Sequence, residues 1–532
     1  MSKLEAEAPM PSRGGPINTR AAMLSAGRRP KRRLRSSLLL SLLVGIIIVS
    51  TVLVVADLQR ANTTLAVQIG DQPAIPVDLN QSFAISPSLL GSNVFPKTGT
   101  SARDQQGRGF MSYDQPITSG LKSVKVKFLR FPGGNWGEEH TLSIEQLDAF
   151  SDLLNQVGAE GMVQAQLSDP IDITPVSLAT RANRAALWVD YMNNEQSIQR
   201  LNNAKAPFHP IKYWTIGNEP DLLINPDTGK KYTAAEYTQA FIIYSLAMHD
   251  KDPSIKIFGP EISQYPSPDG PKDANGKLWM DTFLSGISDY ERTHGLPFHL
   301  LDGVSFHDYP FGNKSTTTAT LLQDPDRWDT SLLALRQLIR QKFARDIPLA
   351  ITEINTNSDN SVPSPRLAAT WWANTLGKLI SNQVEYVAFF STEGVDLPHP
   401  LFTQKGLKET TMLRSTQLFV QLQDNMVPVQ GRQGAVGFYA TQDNQHRLIS
   451  LLFVNNSADR QQVNIRANSL LPFSAWHNSA FTINSYEMVV LTLHRDSNNE
   501  AFRFENTESA QQILPDIQHI ACESSKNSTF TC

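Results

Sequence analysis

The chain has 532 residues, 40% of them hydrophobic and 18% charged, with a formal net charge of -4. That length exceeds one ordinary domain, and that composition excludes an intrinsically disordered or collagen-like chain. The overall charge gives no argument for a nucleic-acid partner.

The positive charge is local. Arg28, Arg29, Lys31, Arg32, Arg33 and Arg35 close a polar stretch rich in Pro, Gly and Arg, so residues 1–35 read as a disordered cytoplasmic tail. An uncharged apolar run from Leu38 to Ala56 follows. A helix needs roughly 20 such residues to cross a bilayer, so residues 36–57 are expected to be a transmembrane anchor. The positive-inside rule keeps the N-terminus cytoplasmic and the rest of the chain outside. One alternative is a cleaved signal, which would secrete the protein, since Val54-Val55-Ala56 resembles a cleavage site. Signal cores run about 7–15 residues, and this run is longer. A buried core helix is the third reading. Asn62, Asn80, Asn313, Asn455 and Asn527 each open an Asn-x-Ser/Thr triplet, which suits an exported glycoprotein. Cys522 and Cys532 are the only cysteines, and they pair into one small loop in an oxidising compartment or stay as two tail thiols.

Residues 62–79 alternate apolar and polar positions like a hairpin, and 58–81 are expected to join a later β-sandwich. Eight strand-like runs follow: 83–94, 124–133, 161–168, 213–218, 255–262, 303–309, 348–354 and 386–392. Helical patterns lie between most of them, at 143–157, 180–193, 233–249, 328–345 and 364–381. Strands alternating with helices predict an α/β fold, a (β/α)8 TIM barrel over residues 82–410. Short strands at 436–440, 448–454, 462–467 and 486–493 predict an accessory antiparallel β-sandwich over 411–497. Residues 498–532 read as a loose polar tail.

The chemistry gathers at the carboxyl ends of the barrel strands, where such barrels keep their active sites. The second run ends Leu129-Arg130-Phe131-Pro132-Gly133-Gly134-Asn135-Trp136. A buried arginine needs an anionic partner, and Asn135 and Trp136 follow the turn as candidate pocket residues. The fourth run ends Gly217-Asn218-Glu219-Pro220, where Pro220 is expected to hold Glu219 extended. The sixth carries His307 and Tyr309, two apart and so on one face. The seventh ends Leu349-Ala350-Ile351-Thr352-Glu353. Glu261, Glu393, Glu138 and Glu139 are further acids at strand ends, read as auxiliaries or decoys. Strand order favours Glu219 and Glu353.

Asn-Glu-Pro on strand four, His-x-Tyr on strand six and Thr-Glu on strand seven resemble glycoside hydrolase clan A. Leu129-Arg130-Phe131-Pro132-Gly133-Gly134-Asn135 and Ile85-Ser86-Pro87-Ser88-Leu89-Leu90-Gly91 resemble the branch of arabinofuranosidases, β-xylosidases and heparanase-like β-glucuronidases. The likeness spans roughly residues 62–495. It implies Glu219 as acid/base, Glu353 as nucleophile and Asn218 on the sugar 2-hydroxyl. It implies Arg130 and Tyr309 as groups tuning Glu353, and His307 lining the site. Phe390-Ser391-Thr392 stands where the clan often has a strand-eight aromatic. The implied reaction is retaining hydrolysis of an oligosaccharide, polysaccharide or glycoconjugate, and it requires no metal or organic cofactor. A non-catalytic glycan-binding barrel and a transglycosylase using the same residues are the competing readings.

Overall fold

Eight parallel strands run in chain order around a closed cylinder: β1 (Leu90–Asn93), β2 (Phe128–Phe131), β3 (Glu160–Ala165), β4 (Tyr213–Ile216), β5 (Lys256–Ile262), β6 (Gly303–Asp308), β7 (Leu349–Ile354) and β8 (Tyr386–Phe389). β8 pairs with β1 to close the ring. In this computed structural model the described residues are 64–531, apart from 102–108, 170–174, 266–269, 313, 359–361, 395–398, 430–433, 468–478, 496–498, 507–515 and 525–529. The expected tail and anchor (1–35 and 36–57), and Asn62, Asn313, Asn527 and Cys532, lie outside the described residues. Among the described residues no helix is long and apolar enough to cross a membrane.

The strands are apolar on both faces because helices cover the outside and side chains fill the inside. The lower interior is an aromatic layer. Tyr386 meets Phe128, Tyr213 and Phe258 edge-on, with ring centroids at 5.7, 5.5 and 5.1 Å. This layer fits because its neighbours are small. A Cβ on Gly91 would lie 2.4 Å from the Phe128 ring. The filled floor leaves only the upper, carboxyl-terminal end of the cylinder for chemistry.

Caps set the helix starts. Ser143 and Gln146 form a reciprocal capping box on the helix Ile144–Val157, and Thr233 and Glu236 form another on Ala234–His249. The helices Gln115–Ser123, Trp279–His294 and Thr411–Phe419 were not among the sequence expectations.

Two antiparallel sheets stand beside the barrel. The hairpin Thr64–Ile69 with Ile75–Asp78 pairs onto Gln461–Ala467 in a four-stranded sheet. The other sheet has seven strands, centred on Leu448–Asn455. That strand alternates its duties. Leu451 and Phe453 face the core shared with the four-stranded sheet, while Leu452 and Val454 join the barrel's core. On that barrel side Tyr439 donates its hydroxyl to the Asn374 carbonyl of helix Pro365–Ser381.

Two expectations need correction. Residues after 497 are not simply a loose tail. Glu500–Phe504 and Gln518–Ala521 extend the seven-stranded sheet, because Ala501 and Phe504 bury against its cores. Cys522 follows them, buried and disulfide-bonded. Asn455 is no glycan acceptor, since it is fully buried and its amide donates to the Asp459 and Asn484 carbonyls. Asn80 is exposed.

Candidate active site

Arg130 sits two residues above Phe128 on β2, so the pleat carries it to the same inner face one layer higher. It is fully buried. Its guanidinium spans the barrel. Nη1 donates to Glu353 Oε1 at 2.8 Å and Asn93 Oδ1 at 2.9 Å. Nη2 donates to Glu261 Oε2 at 2.8 Å and Asn218 Oδ1 at 2.9 Å. One cation on β2 thus ties together β1, β5, β7 and the end of β4.

Glu353 follows Thr352, and a regular strand would send consecutive side chains to opposite faces. Here the pairing with β6 shifts register between Phe306 and His307. The irregularity lets Thr352 reach Glu261 Oε1 at 2.7 Å while Glu353 reaches Arg130. The Tyr309 hydroxyl donates to the second Glu353 oxygen at 2.7 Å. Burial pushes the Glu353 carboxyl upward, aided by nearby Glu219, while His307, Arg130 and Tyr309 pull it down; the net direction is up.

Glu219 lies just past β4 with its side chain 16% exposed, the more open of the pair. It is not extended, contrary to the expectation from Pro220. Its φ is +45, a region that costs a residue with a side chain. Its N–H donates to the Glu261 carbonyl at 2.9 Å, and that clasp overrides the local preference. His307 Nδ1 stands 3.1 Å from Glu219 Oε1 and 3.7 Å from Glu353 Oε2. Burial alone would lower the His307 pKa, but Glu353, Glu219 and Glu261 outweigh it and raise it to about 10. The three carboxylates thus favour the charged form of the ring.

One donor atom each of Glu219, His307 and Glu353 lies within 4.8 Å of the others. Such a trio has the spacing to hold a cation, yet its carboxylates favour a protonated ring, which offers no lone pair, and Arg130 already occupies one Glu353 oxygen. The chemistry of the set suits a carboxylate pair with a cationic neighbour better than a metal centre.

Arg130, Asn218, Glu219, His307, Tyr309 and Glu353 thus meet in one hydrogen-bonded cluster. Asn135 is exposed at its rim and accepts from Asn218 Nδ2 at 3.1 Å. Trp136 is a correction: it is buried, stacked on His140 and edge-on to Phe110, with no open face for a sugar. The strand-eight aromatic is Phe390. Its ring lies edge-on to Tyr309 at 6.3 Å and beside Gly134. Among the other acids, Glu138 is buried under Gln164 and Ser168, and Glu393 accepts the Ser112 N–H. Glu261 is more than a decoy, since it is buried at the centre of the network. Asn93 was missed altogether. Its signal was a polar residue ending the buried run Leu90-Gly91-Ser92-Asn93.

Glutamates from the ends of strands four and seven thus meet at the carboxyl end of a closed (β/α)8 barrel. A sequence model of glycoside hydrolase family 44 matches residues 141–311, a span that holds Glu219, His307 and Tyr309. α-L-Arabinofuranosidase C of Emericella nidulans is 26% identical over 164 residues, 27% of this chain and 32% of that protein. The matched segment thus spans about a third of that relative's length. The crystal structure of a family 51 α-L-arabinofuranosidase from Bifidobacterium longum aligns with TM-score 0.54 at 18% identity, covering 72% of this chain and 84% of that one. A family 44 xyloglucanase from Paenibacillus polymyxa aligns with TM-score 0.52 at 13% identity, covering 78% and 97%. Together these likenesses support a relationship to the TIM-barrel glycoside hydrolases of clan A.

Proposed function

We propose that this chain is a retaining glycoside hydrolase acting on oligosaccharides, polysaccharides or glycoconjugates outside the cytoplasm. One observation carries the reading: one carboxylate oxygen of Glu219 and one of Glu353 lie within 4.8 Å of each other, close enough for both groups to flank a single glycosidic bond. Retaining enzymes hold their two carboxyls about 5–5.5 Å apart, whereas inverting ones need about 6.5–9.5 Å to admit a water.

Glu353 attacks the anomeric carbon. Both its oxygens accept hydrogen bonds, from Arg130 and Tyr309, so its anion is solvated by fixed donors. Burial holds Tyr309 well above the usual phenol pKa, so it stays a donor. Glu219 gives its proton to the leaving oxygen as the glycosidic bond breaks. It then takes a proton from the water that cleaves the glycosyl ester. The anchor and exported placement rest on the basic cluster and apolar run before residue 58. Protease protection of membrane vesicles tests that placement.

The decisive experiment labels the enzyme with mechanism-based glycosyl inhibitors of arabinofuranosyl, xylosyl and glucuronyl type, then maps the modified peptide. Label on Glu353 and a product of retained anomeric configuration are expected. Inverted product, or label on another carboxylate, overturns the reading. Glu353→Gln and Glu219→Gln should each lose at least about 100-fold in kcat while keeping the fold.

A further inference from the structure

We propose that Glu261 is a positioning residue: a buried counter-charge that fixes Arg130 and His307 against the catalytic pair without touching the sugar. This rests on the glycosidase reading above. The Glu261 side chain is 0% exposed, so no substrate reaches it. Oε1 accepts from Thr352, and Oε2 accepts from Arg130 and faces His307 Nε2 at 3.4 Å. Its backbone carbonyl holds the Glu219 N–H. The residue is thus linked to Glu353 through Arg130, and to Glu219 both directly and through His307.

Charge arithmetic explains why a third carboxylate belongs here. Arg130 on β2 and His307 on β6 are the cations that meet it, with Thr352 and Ser305 as neutral neighbours, and Glu353 on β7 and Glu219 beyond β4 share those two cations. Tyr237 of the flanking helix donates away, to the Ile216 carbonyl. In the reaction proposed above, Arg130 and His307 count as cations, the attacking Glu353 and Glu261 as anions, and the acid Glu219 carries the proton it delivers; the sum is zero. In the glycosyl-enzyme Glu353 is an ester and Glu219 has lost its proton to the leaving group. The sum is zero again. Without Glu261 both states would carry an uncompensated positive charge in a buried pocket, relieved most simply by loss of the His307 proton. An imidazolium N–H on Glu219 Oε1 leaves the other Glu219 oxygen to carry the proton that is delivered.

The geometry agrees with the electrostatics. Burial alone would raise the Glu261 carboxyl, but Arg130 and His307 outweigh it and hold it at about 2, so it stays ionised throughout the working range.

The test is nitrogen-15 NMR of the histidine rings in the whole protein, with the His307 signal identified by its loss in His307→Gln. In the wild type the ring should remain doubly protonated well above pH 7. In Glu261→Gln the ring should lose its proton at a lower pH than in the wild type, a drop of more than about one unit and so more than about tenfold in proton affinity. kcat should fall at least about tenfold there, with a displaced pH–rate profile, and Glu261→Asp should keep the imidazolium. A wild-type His307 that titrates near the ordinary histidine value overturns the proposal, as does a Gln variant with unchanged ring signal and pH profile. If Glu261→Gln does not fold, the wild-type titration decides alone. A protein inactive on every glycoside but with an imidazolium at His307 would refute the hydrolase reading and leave the charge network standing.

Discussion

The Tyr309 hydroxyl lies 2.7 Å from Glu353 Oε2, on the opposite oxygen from the one Arg130 holds at 2.8 Å. The two donors differ in kind. Arg130 supplies a permanent charge, and Tyr309 a neutral hydrogen bond that strengthens when Glu353 is anionic. Tyr309→Phe removes only the second. A hydrogen bond to a charged group contributes about 1.5–3 kcal/mol, so kcat should fall by about 10- to 100-fold. Loss of a donor to the anion raises the Glu353 pKa, so the acid limb of the kcat/KM profile should move to higher pH. An acid limb that stays put would break the link between Tyr309 and Glu353.

Arg130 holds two buried carboxylates at once, Glu261 and Glu353. Removing one partner of a buried ion pair costs about 3–5 kcal/mol, because the other charge is left uncompensated. Arg130→Met should therefore destabilise by at least that much in urea unfolding. Arg130→Lys should not rescue it, since an ammonium cannot fork across Asn93, Asn218, Glu261 and Glu353.

Much of this arrangement was legible because barrel strands announce themselves. Runs such as Leu349-Ala350-Ile351 are buried on both faces, so the first polar residues beyond them, Thr352 and Glu353, mark the mouth. What failed was local inference about residues whose fate is settled by distant partners. Trp136 after a turn suits a sugar platform or a core plug equally, and packing by Phe110 and His140 makes it a plug. Pro220 argued for an extended Glu219, yet its N–H donates to the carbonyl of the distant Glu261, and its φ is positive. Glu261 was visible as an acid at a strand end. Its importance was not, because that lies in contacts with β2, β6 and β7. The strand 500–504 was hidden by its polar surroundings, although Ala501 and Phe504 carry its burial.

The cationic His307 should tie stability to pH. Its folded pKa is about 10 against an ordinary 6.5. The native state therefore keeps a proton that the unfolded chain releases between those values. The contribution is complete below pH 6.5 and declines as pH climbs toward 10, by at most about 1.4 kcal/mol per pH unit. Glu261 works in the other direction: its depressed pKa contributes stability above about 4.5, lost as pH falls toward 2. Urea midpoints measured across pH 6.5–10 should fall in the wild type and fall less steeply in His307→Asn. Equal slopes in the two proteins would mean that the ring is neutral.

Gly134 separates folding from catalysis. Its φ is +53, and a Cβ there would lie 3.3 Å from Glu353 Oε1 and 3.4 Å from the Phe390 ring. Gly134→Ala incurs the left-handed backbone penalty of about 1 kcal/mol, a modest loss of stability. Its methyl group, however, would press on the Glu353 carboxylate and on the ring beside it. Near-attack geometry is sensitive to displacements of about 1 Å, which can cost about 100-fold in rate. The variant should fold, unfold at slightly lower urea, and lose turnover far beyond its loss of stability. Activity that merely tracks the stability loss would show that Gly134 serves the turn alone and that the pocket wall lies elsewhere.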